Sequence, residues 1–272
     1  MLIAQISDTH IKAKGRLAYG IVDTAGMLRS CIEHIVRMPT QPDVMLLTGD
    51  LVDLGRPEEY ALLQELLAPL KMPLYLVAGN HDERTALRQA FTGPGFDYLA
   101  QADEFLQYAV DLGPVRLLVM DTVVPLEGRG ALCEQRLSWL DRRLAEDSRP
   151  TLIALHHPPF ATGIAHMDAI GLEGASALER VLRQYTHVER VVCGHLHRSI
   201  QCRFAGTVVS TCPSPAHQVA LDLSAEGPDC FVMEPPGYQL HLWHEGRLVT
   251  HTCVWGEYAG PYRFREGGVL ID

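Results

Sequence analysis

No apolar run in this sequence approaches the roughly 18 residues that a membrane-spanning helix needs, so no transmembrane helix is expected. C-x-x-C pairs are also missing. The seven cysteines (Cys31, Cys133, Cys193, Cys202, Cys212, Cys230 and Cys253) are odd in number and widely scattered, which argues against a disulfide framework or a zinc knuckle. There is no long basic run, and the formal charge is -10, so the chain offers no broad footprint for a nucleic-acid backbone. The opening MLIAQIS lacks the basic n-region, long apolar h-region and small-residue cleavage site of a secretory signal, and a cytoplasmic location is expected. Internal repeats and low-complexity linkers are absent as well.

What is present is a globular composition. Of 272 residues, 47% are hydrophobic and 21% charged, enough apolar material for a large core in one unit. Short apolar runs at 2–7, 44–49, 74–79, 116–121, 151–156 and 190–194 read as buried strands. Between them, Leu28, Cys31, Ile32, Ile35 and Val36 fall at helical spacing, as do Leu62, Leu63, Leu66, Leu67 and Leu70. Leu137, Leu140 and Leu144 repeat the pattern, followed by Leu178, Val181, Leu182 and Tyr185. Pro57, Glu58 and Glu59 suit the first turn of the second helix.

After about residue 200 the texture turns to short β-like pieces, with a hairpin turn expected at His244–Arg247. The expected fold is α/β: a four-layer α/β/β/α sandwich of two packed mixed sheets flanked by helices, with a small C-terminal β-rich cap or extension. Residues 1–205 would form the core. Residues 206–272 would complete the second sheet and form a cap or oligomerisation element. Segments 83–110 and 222–238, rich in Gly, Pro, Asp and Glu, are the candidates for loops or a small cap over a site.

The chemistry lies where the apolar runs stop. They end at Asp8-Thr9-His10, Gly49-Asp50, Gly79-Asn80-His81-Asp82, His156-His157 and Gly194-His195-Leu196-His197. Sheets of this kind gather functional groups at the carboxyl ends of their strands, so residues almost 190 positions apart can converge. Alternate residues of extended chain share a side, which lets Asp8 act with His10 and His195 with His197. Glycines 49, 79 and 194 are expected to let the backbone turn sharply there. Carboxylate, imidazole and amide oxygen without thiolate suit a transition metal such as Mn, Fe, Co or Zn. Seven donors exceed what one catalytic ion uses, and two ions about 3.5–4 Å apart would use them all.

D-x-H, G-D-x-V-D, G-N-H-D, H-H and G-H-x-H, in this order over residues 1–200, resemble the calcineurin-like metallophosphoesterase family. D-T-H, G-R-P-E-E-Y at 55–60, G-N-H-D, H-H-P-P at 156–159 and H-Q-V at 217–219 are most similar to its bacterial glycerophosphodiester and cyclic-nucleotide phosphodiesterases. That resemblance implies two divalent metal ions, with Asp8, His10 and His197 on one, Asn80, His156 and His195 on the other, and Asp50 on both. It implies in-line attack of a metal-bound hydroxide on a small phosphodiester, with His81 stabilising charge and Asp53 hydrogen-bonding His81 to fix its tautomer. An acid at Asp53 could instead only cap a turn. Asn80, His81, His217 and Tyr19 are the candidate substrate contacts, His157 reads as structural, and a homo-oligomer is expected. G-D-L-V-D continues as Leu-Gly rather than the Arg-Gly of protein phosphatases, which weakens that reading. Phosphomonoesterase, nucleotide pyrophosphatase and a non-catalytic scaffold are the alternatives.

Overall fold

A computed structural model describes residues 1–102 and 104–271. Strand and helix alternate first, as β1 (Leu2–Ile6), α1 (Thr24–Val36), β2 (Val44–Thr48), α2 (Pro57–Leu67) and β3 (Leu74–Val77). Two short helices, α3 (Arg84–Ala90) and α4 (Asp97–Ala100), lead to the pair β4 (Tyr108–Asp111) and β5 (Arg116–Val119). Next come β6 (Gly130–Ala131), α5 (Glu134–Glu146), β7 (Thr151–Ala154), α6 (Ala165–Asp168), β8 (Leu172–Glu173), α7 (Ala175–Leu182) and β9 (Val188–Cys193). The rest is β: β10 (Gln201–Phe204), β11 (Thr207–Thr211), β12 (Gln218–Val219), β13 (Phe231–Val232), β14 (Gly237–His244), β15 (Arg247–Val254), β16 (Arg265–Glu266) and β17 (Val269–Leu270).

The strands assemble into a five-stranded sheet, β15-β14-β1-β2-β3, and a six-stranded sheet, β10-β11-β9-β7-β5-β4. The first is parallel through β1, β2 and β3 and antiparallel at β14 and β15, and the second has a parallel centre with an antiparallel strand at each edge. The sequence explains the layering of the second sheet residue by residue. Along β5 and β7, Leu117, Val119, Leu152 and Ala154 join the core shared with the first sheet. Their neighbours Leu118, Met120, Ile153 and Leu155 face the other way and pack with Leu137, Leu140 and Leu144 of α5 and Leu178 and Leu182 of α7. Successive strand side chains point to opposite faces, so a continuous apolar run serves two layers at once.

Helices α1 and α2 cover the first sheet through Leu28, Cys31, Ile32, Ile35, Leu62, Leu63, Leu66 and Leu67. Pro57 opens α2, and the Glu59 carboxylate accepts from the backbone N–H of Arg56 and Leu54, at 3.1 and 2.9 Å, tying down its first turn. Val36, assigned from spacing to the apolar stripe of α1, lies at the last helical position and is exposed.

The C-terminal part is built into both sheets. The boundary at 205/206 drawn from sequence texture runs through the turn of the β10–β11 hairpin, and the segment beyond it gives β11 to the second sheet and β14 and β15 to the first. The β14–β15 turn is Glu245-Gly246, both residues at positive φ, which matches the twist of a tight hairpin. Segment 83–110 contributes α3, α4 and buried Leu87, Phe91, Leu99 and Leu106 to the core, while Glu83, Arg84, Thr85, Arg88 and Glu104 line a cavity shared with Asn80 and His81. Segment 222–238 reaches the site through Asp229, Cys230 and Phe231. Among the described residues no helix is long and apolar enough to cross a membrane.

Candidate metal centre

All seven side chains at the strand ends converge beside one open cleft of about 400 Å³, five of them and Asn80's neighbour His81 lining it directly. Asp8 and His10 follow β1, Asp50 follows β2 and Asn80 follows β3, so four come from the first sheet; His156 follows β7, and His195 and His197 follow β9, in the second. Convergence is accompanied by backbone strain. Asp8, His10, Asp50, His195 and His197 all adopt positive φ, between 42° and 71°. Such a conformation costs a non-glycine residue about 1–2 kcal/mol, and persists only where the surroundings enforce it. Gly49 is the one of the three expected glycines in the left-handed region. Gly79 and Gly194 are required for close approach instead: a Cβ on Gly79 would lie 2.2 Å from Asp50 N and Oδ1, and one on Gly194 would lie 2.6 Å from Thr48 O.

The donor atoms form overlapping clusters, with Asp8 close to both His197 and His156. Asp8, His10 and His197 form one cluster, with His10 Nε2 3.1 Å from His197 Nε2 and His197 Nε2 3.7 Å from Asp8 Oδ1. In the other, His156 Nε2 is 3.1 Å from Asn80 Oδ1. Asp50 stands between them, its Oδ2 lying 3.6 Å from His10 Nε2 and 3.3 Å from His156 Nε2. Backbone N–H groups orient both carboxylates, from His195 to Asp8 (2.9 and 3.1 Å) and from His81 to Asp50 (2.9 Å).

Carbonyl groups decide the histidine tautomers, because a carbonyl oxygen can only accept. His156 Nδ1 donates to Thr48 O (2.8 Å) and His197 Nδ1 donates to His217 O (3.1 Å), so each turns Nε2 toward the centre as the nitrogen that can take an ion. His195 Nε2 donates to Ile170 O (3.2 Å), leaving Nδ1. Imidazole nitrogens, two buried carboxylates and an amide oxygen thus crowd one another. Such a set is satisfied by cations, and the residues present fit a pair of divalent ions.

Titration in the metal-free shell follows from this crowding. Burial pushes Asp8 up to about 6, with the Asp50 charge adding to it against the pull of His156. Burial also opposes ionisation of Asp50, but the imidazoles of His156 and His81 outweigh it and hold that carboxyl well below its usual range. Burial would lower His156, yet the Asp50 and Asp8 charges raise it to about 9. His197 is pushed down to about 3 by burial and by His10.

Asp53 is turned differently from the expectation. His81 Nδ1 donates to the main-chain carbonyl of Asp53 (2.7 Å), whereas the Asp53 carboxylate faces His10 Nδ1 (3.3 Å) and pairs with Lys12. Asp53 therefore orients both rings by two different groups. Its carboxyl is lowered far below the usual value, the hydrogen bonds from His10 and Lys12 overcoming burial.

His217 and Tyr19 both line the cleft. His217 stacks near His197 (4.6 Å between centroids) and His10 (5.7 Å), and its own carbonyl orients His197, a role no motif announced. The Tyr19 ring meets His217 at 5.2 Å and Phe231 at 4.8 Å. Burial and the Asp53 and Asp50 charges push its hydroxyl up to about 12, so it stays a phenol. His157 stands with His156 and His195, but both its nitrogens are engaged, with Thr122 Oγ1 (2.8 Å) and Gly128 O (3.0 Å), and burial beside His156 lowers it to about 3. Lys12, Met167, Ile170 and Phe231 were not singled out from sequence. Lys12 carried a signal, standing two residues after His10; the apolar wall carried none.

Comparison with known proteins agrees with this architecture. A family model described as calcineurin-like phosphoesterase matches residues 1–199. The chain is 40% identical to a probable glycerophosphodiester phosphodiesterase, GpdQ, of Arcobacter nitrofigilis, with 100% of each covered. It is 30% identical to the 3′,5′-cyclic adenosine monophosphate phosphodiesterase CpdA of Escherichia coli K12, over 92% of this chain and 88% of that protein. The crystal structure of a dimetal phosphatase from Danio rerio superposes with a TM-score of 0.67 at 19% identity, covering 93% of this chain and 95% of that one, a likeness of fold. Strand order, donor set and these matches together place the chain in the calcineurin-like phosphoesterase family.

Proposed function

We propose that this protein is a dinuclear-metal-dependent phosphodiesterase hydrolysing small phosphodiesters, either glycerophosphodiesters or 3′,5′-cyclic nucleotides. The observation that carries the reading is Asp50 Oδ2, one carboxylate oxygen facing both His10 Nε2 at 3.6 Å and His156 Nε2 at 3.3 Å. Asp8, His10 and His197 would hold one ion, Asn80, His156 and His195 the other, and Asp50 both. When bound, the ions supply Lewis acidity toward phosphoryl oxygens and a water acidic enough to act as nucleophile near neutral pH. The names of the relatives support a diester over a monoester.

The remaining residues shape the reaction. With Nδ1–H committed to Asp53 O, His81 leaves Nε2 for the cleft, where in the imidazolium form it would donate to a phosphoryl oxygen or give its proton to the departing alkoxide. Tyr19 donates as a neutral phenol, and Phe231, Met167 and Ile170 give the cleft an apolar wall against the alcohol portion of the substrate. Metal-reconstituted protein is expected to cleave bis-p-nitrophenyl phosphate much faster than p-nitrophenyl phosphate. The reverse order would refute the diesterase assignment. Glycerophosphocholine, glycerophosphoethanolamine and cyclic AMP, each assayed with Mn, Co, Zn and Fe, then separate the two substrate classes.

A further inference from the structure

Four candidate ligands stand on one sheet and three on the other, so the geometry of the centre depends on how the two sheets are placed relative to each other. Apolar contact between sheets is non-directional and does not fix that placement to a few tenths of an ångström. A directional device lies directly beneath the centre. Gln5 of β1, fully buried, sends its Nε2 to Thr48 Oγ1 in its own sheet (2.8 Å) and to Cys193 O in the other (3.1 Å). Those three positions are the roots of the site. Gln5 precedes Asp8 by three residues, Thr48 precedes Asp50 by two, and Cys193 precedes His195 by two.

The orientation of this carboxamide is imposed from behind. Cys193 O only accepts, so the amide nitrogen must face it and Gln5 Oε1 must face His241 Nε2, 2.9 Å away on β14. His241 therefore carries its proton on Nε2, and its Nδ1 accepts from Thr250 Oγ1 on the edge strand β15 at 2.8 Å. Next to Gln5 in register stands Gln239, which makes a second bond between the sheets, from Nε2 to Thr211 O (3.0 Å). Thr211 ends β11, three residues before Ser214, whose hydroxyl holds the Asp8 carbonyl at 2.9 Å.

We propose that Gln5 and Gln239 are positioning residues that clamp the two sheets in register beneath the metal centre, with His241 and Thr250 orienting Gln5. The clamp rests on the dinuclear reading of the site.

The test is metal binding and spectroscopy on full-length protein carrying Co(II). Gln5→Met keeps the side-chain length and removes the directional bonds. It is expected to lower affinity for the weaker-bound ion by about tenfold or more and to alter the Co(II) d–d absorption bands. Thr250→Val, a milder change at the far end, is expected to shift the bands in the same direction by less, and serves if Gln5→Met does not fold. Leu140→Ala, in the outer core against α5, is the stability control: it lowers the melting temperature and leaves the bands unchanged. Wild-type bands and affinities in both Gln5→Met and Thr250→Val, or altered bands in Leu140→Ala, would overturn the clamp. Failure of the wild-type protein to bind two ions would instead refute the dinuclear reading on which it rests.

Discussion

Gly194→Ala places one methyl group at the closest approach between the sheets. The added Cβ would lie 2.1 Å from Ser7 Oγ, 2.6 Å from Thr48 O and 2.9 Å from Asp8 Oδ2. Ser7 can rotate, but Thr48 O is main chain. Comfortable carbon–oxygen separation is about 3.3 Å or more, so the backbone at 194 must retreat by roughly 0.7 Å. The same backbone carries His195 N–H, 2.9 Å from Asp8 Oδ1, and that bond would open past the usual range of about 2.7–3.2 Å. Overpacking costs about 1–3 kcal/mol and weakening a bond to a charged group about 1 kcal/mol more. A total of about 2–4 kcal/mol corresponds to a fall in melting temperature of roughly 5–15 °C. Because the retreating segment bears His195 and His197, chelator competition should also register at least a tenfold loss of metal affinity. Gly128→Ala is the control: its Cβ would meet nothing closer than 3.5 Å, and it should melt with the parent protein. Wild-type melting and metal affinity in Gly194→Ala would refute the argument from close approach.

Three further outcomes are expected. His81→Asn should lower kcat by about 100-fold or more with two ions still bound, as measured by metal analysis beside kinetics; an unchanged kcat would remove His81 from the reaction. His156 in the metal-free shell is held at about 9, so below that pH an incoming ion must displace its proton, and affinity should rise roughly tenfold per pH unit from 7 toward 9; affinity independent of pH would contradict the pairing with Asp50. Buried His241 is pushed down to about 3 by burial and Arg190. In the unfolded chain it titrates near about 6.5, so the unfolded state binds the extra proton and stability falls as pH drops from about 6.5 toward 3, by roughly 1 kcal/mol per pH unit. Denaturant melts of metal-free His241→Phe should show a shallower decline over that window than the parent, and equal slopes would be inconsistent with a neutral buried His241.

The sequence determined a good deal by itself. A strand buried on both faces is apolar throughout, which is why the runs at 44–49, 116–121 and 151–156 could be read without a partner in view. Their endings in Asp50 and His156 were legible for the same reason, since a polar residue has no place inside such a run. The order of the blocks was enough for the family. Tertiary structure decided what depends on direction. Asp53 presents its carbonyl to His81 and its carboxylate to His10. His217 acts on His197 through its main chain, which residue type does not encode. Phe231 reaches the cleft from a segment more than 200 residues beyond Tyr19, and Gln5 and His241 looked like ordinary strand residues until the second sheet supplied Cys193 O and the edge strand Thr250. Periodicity reports which face of an element is buried. Only the packed chain shows which atom of a buried polar group meets its partner, because hydrogen bonds are directional and the residues that make them come from distant strands.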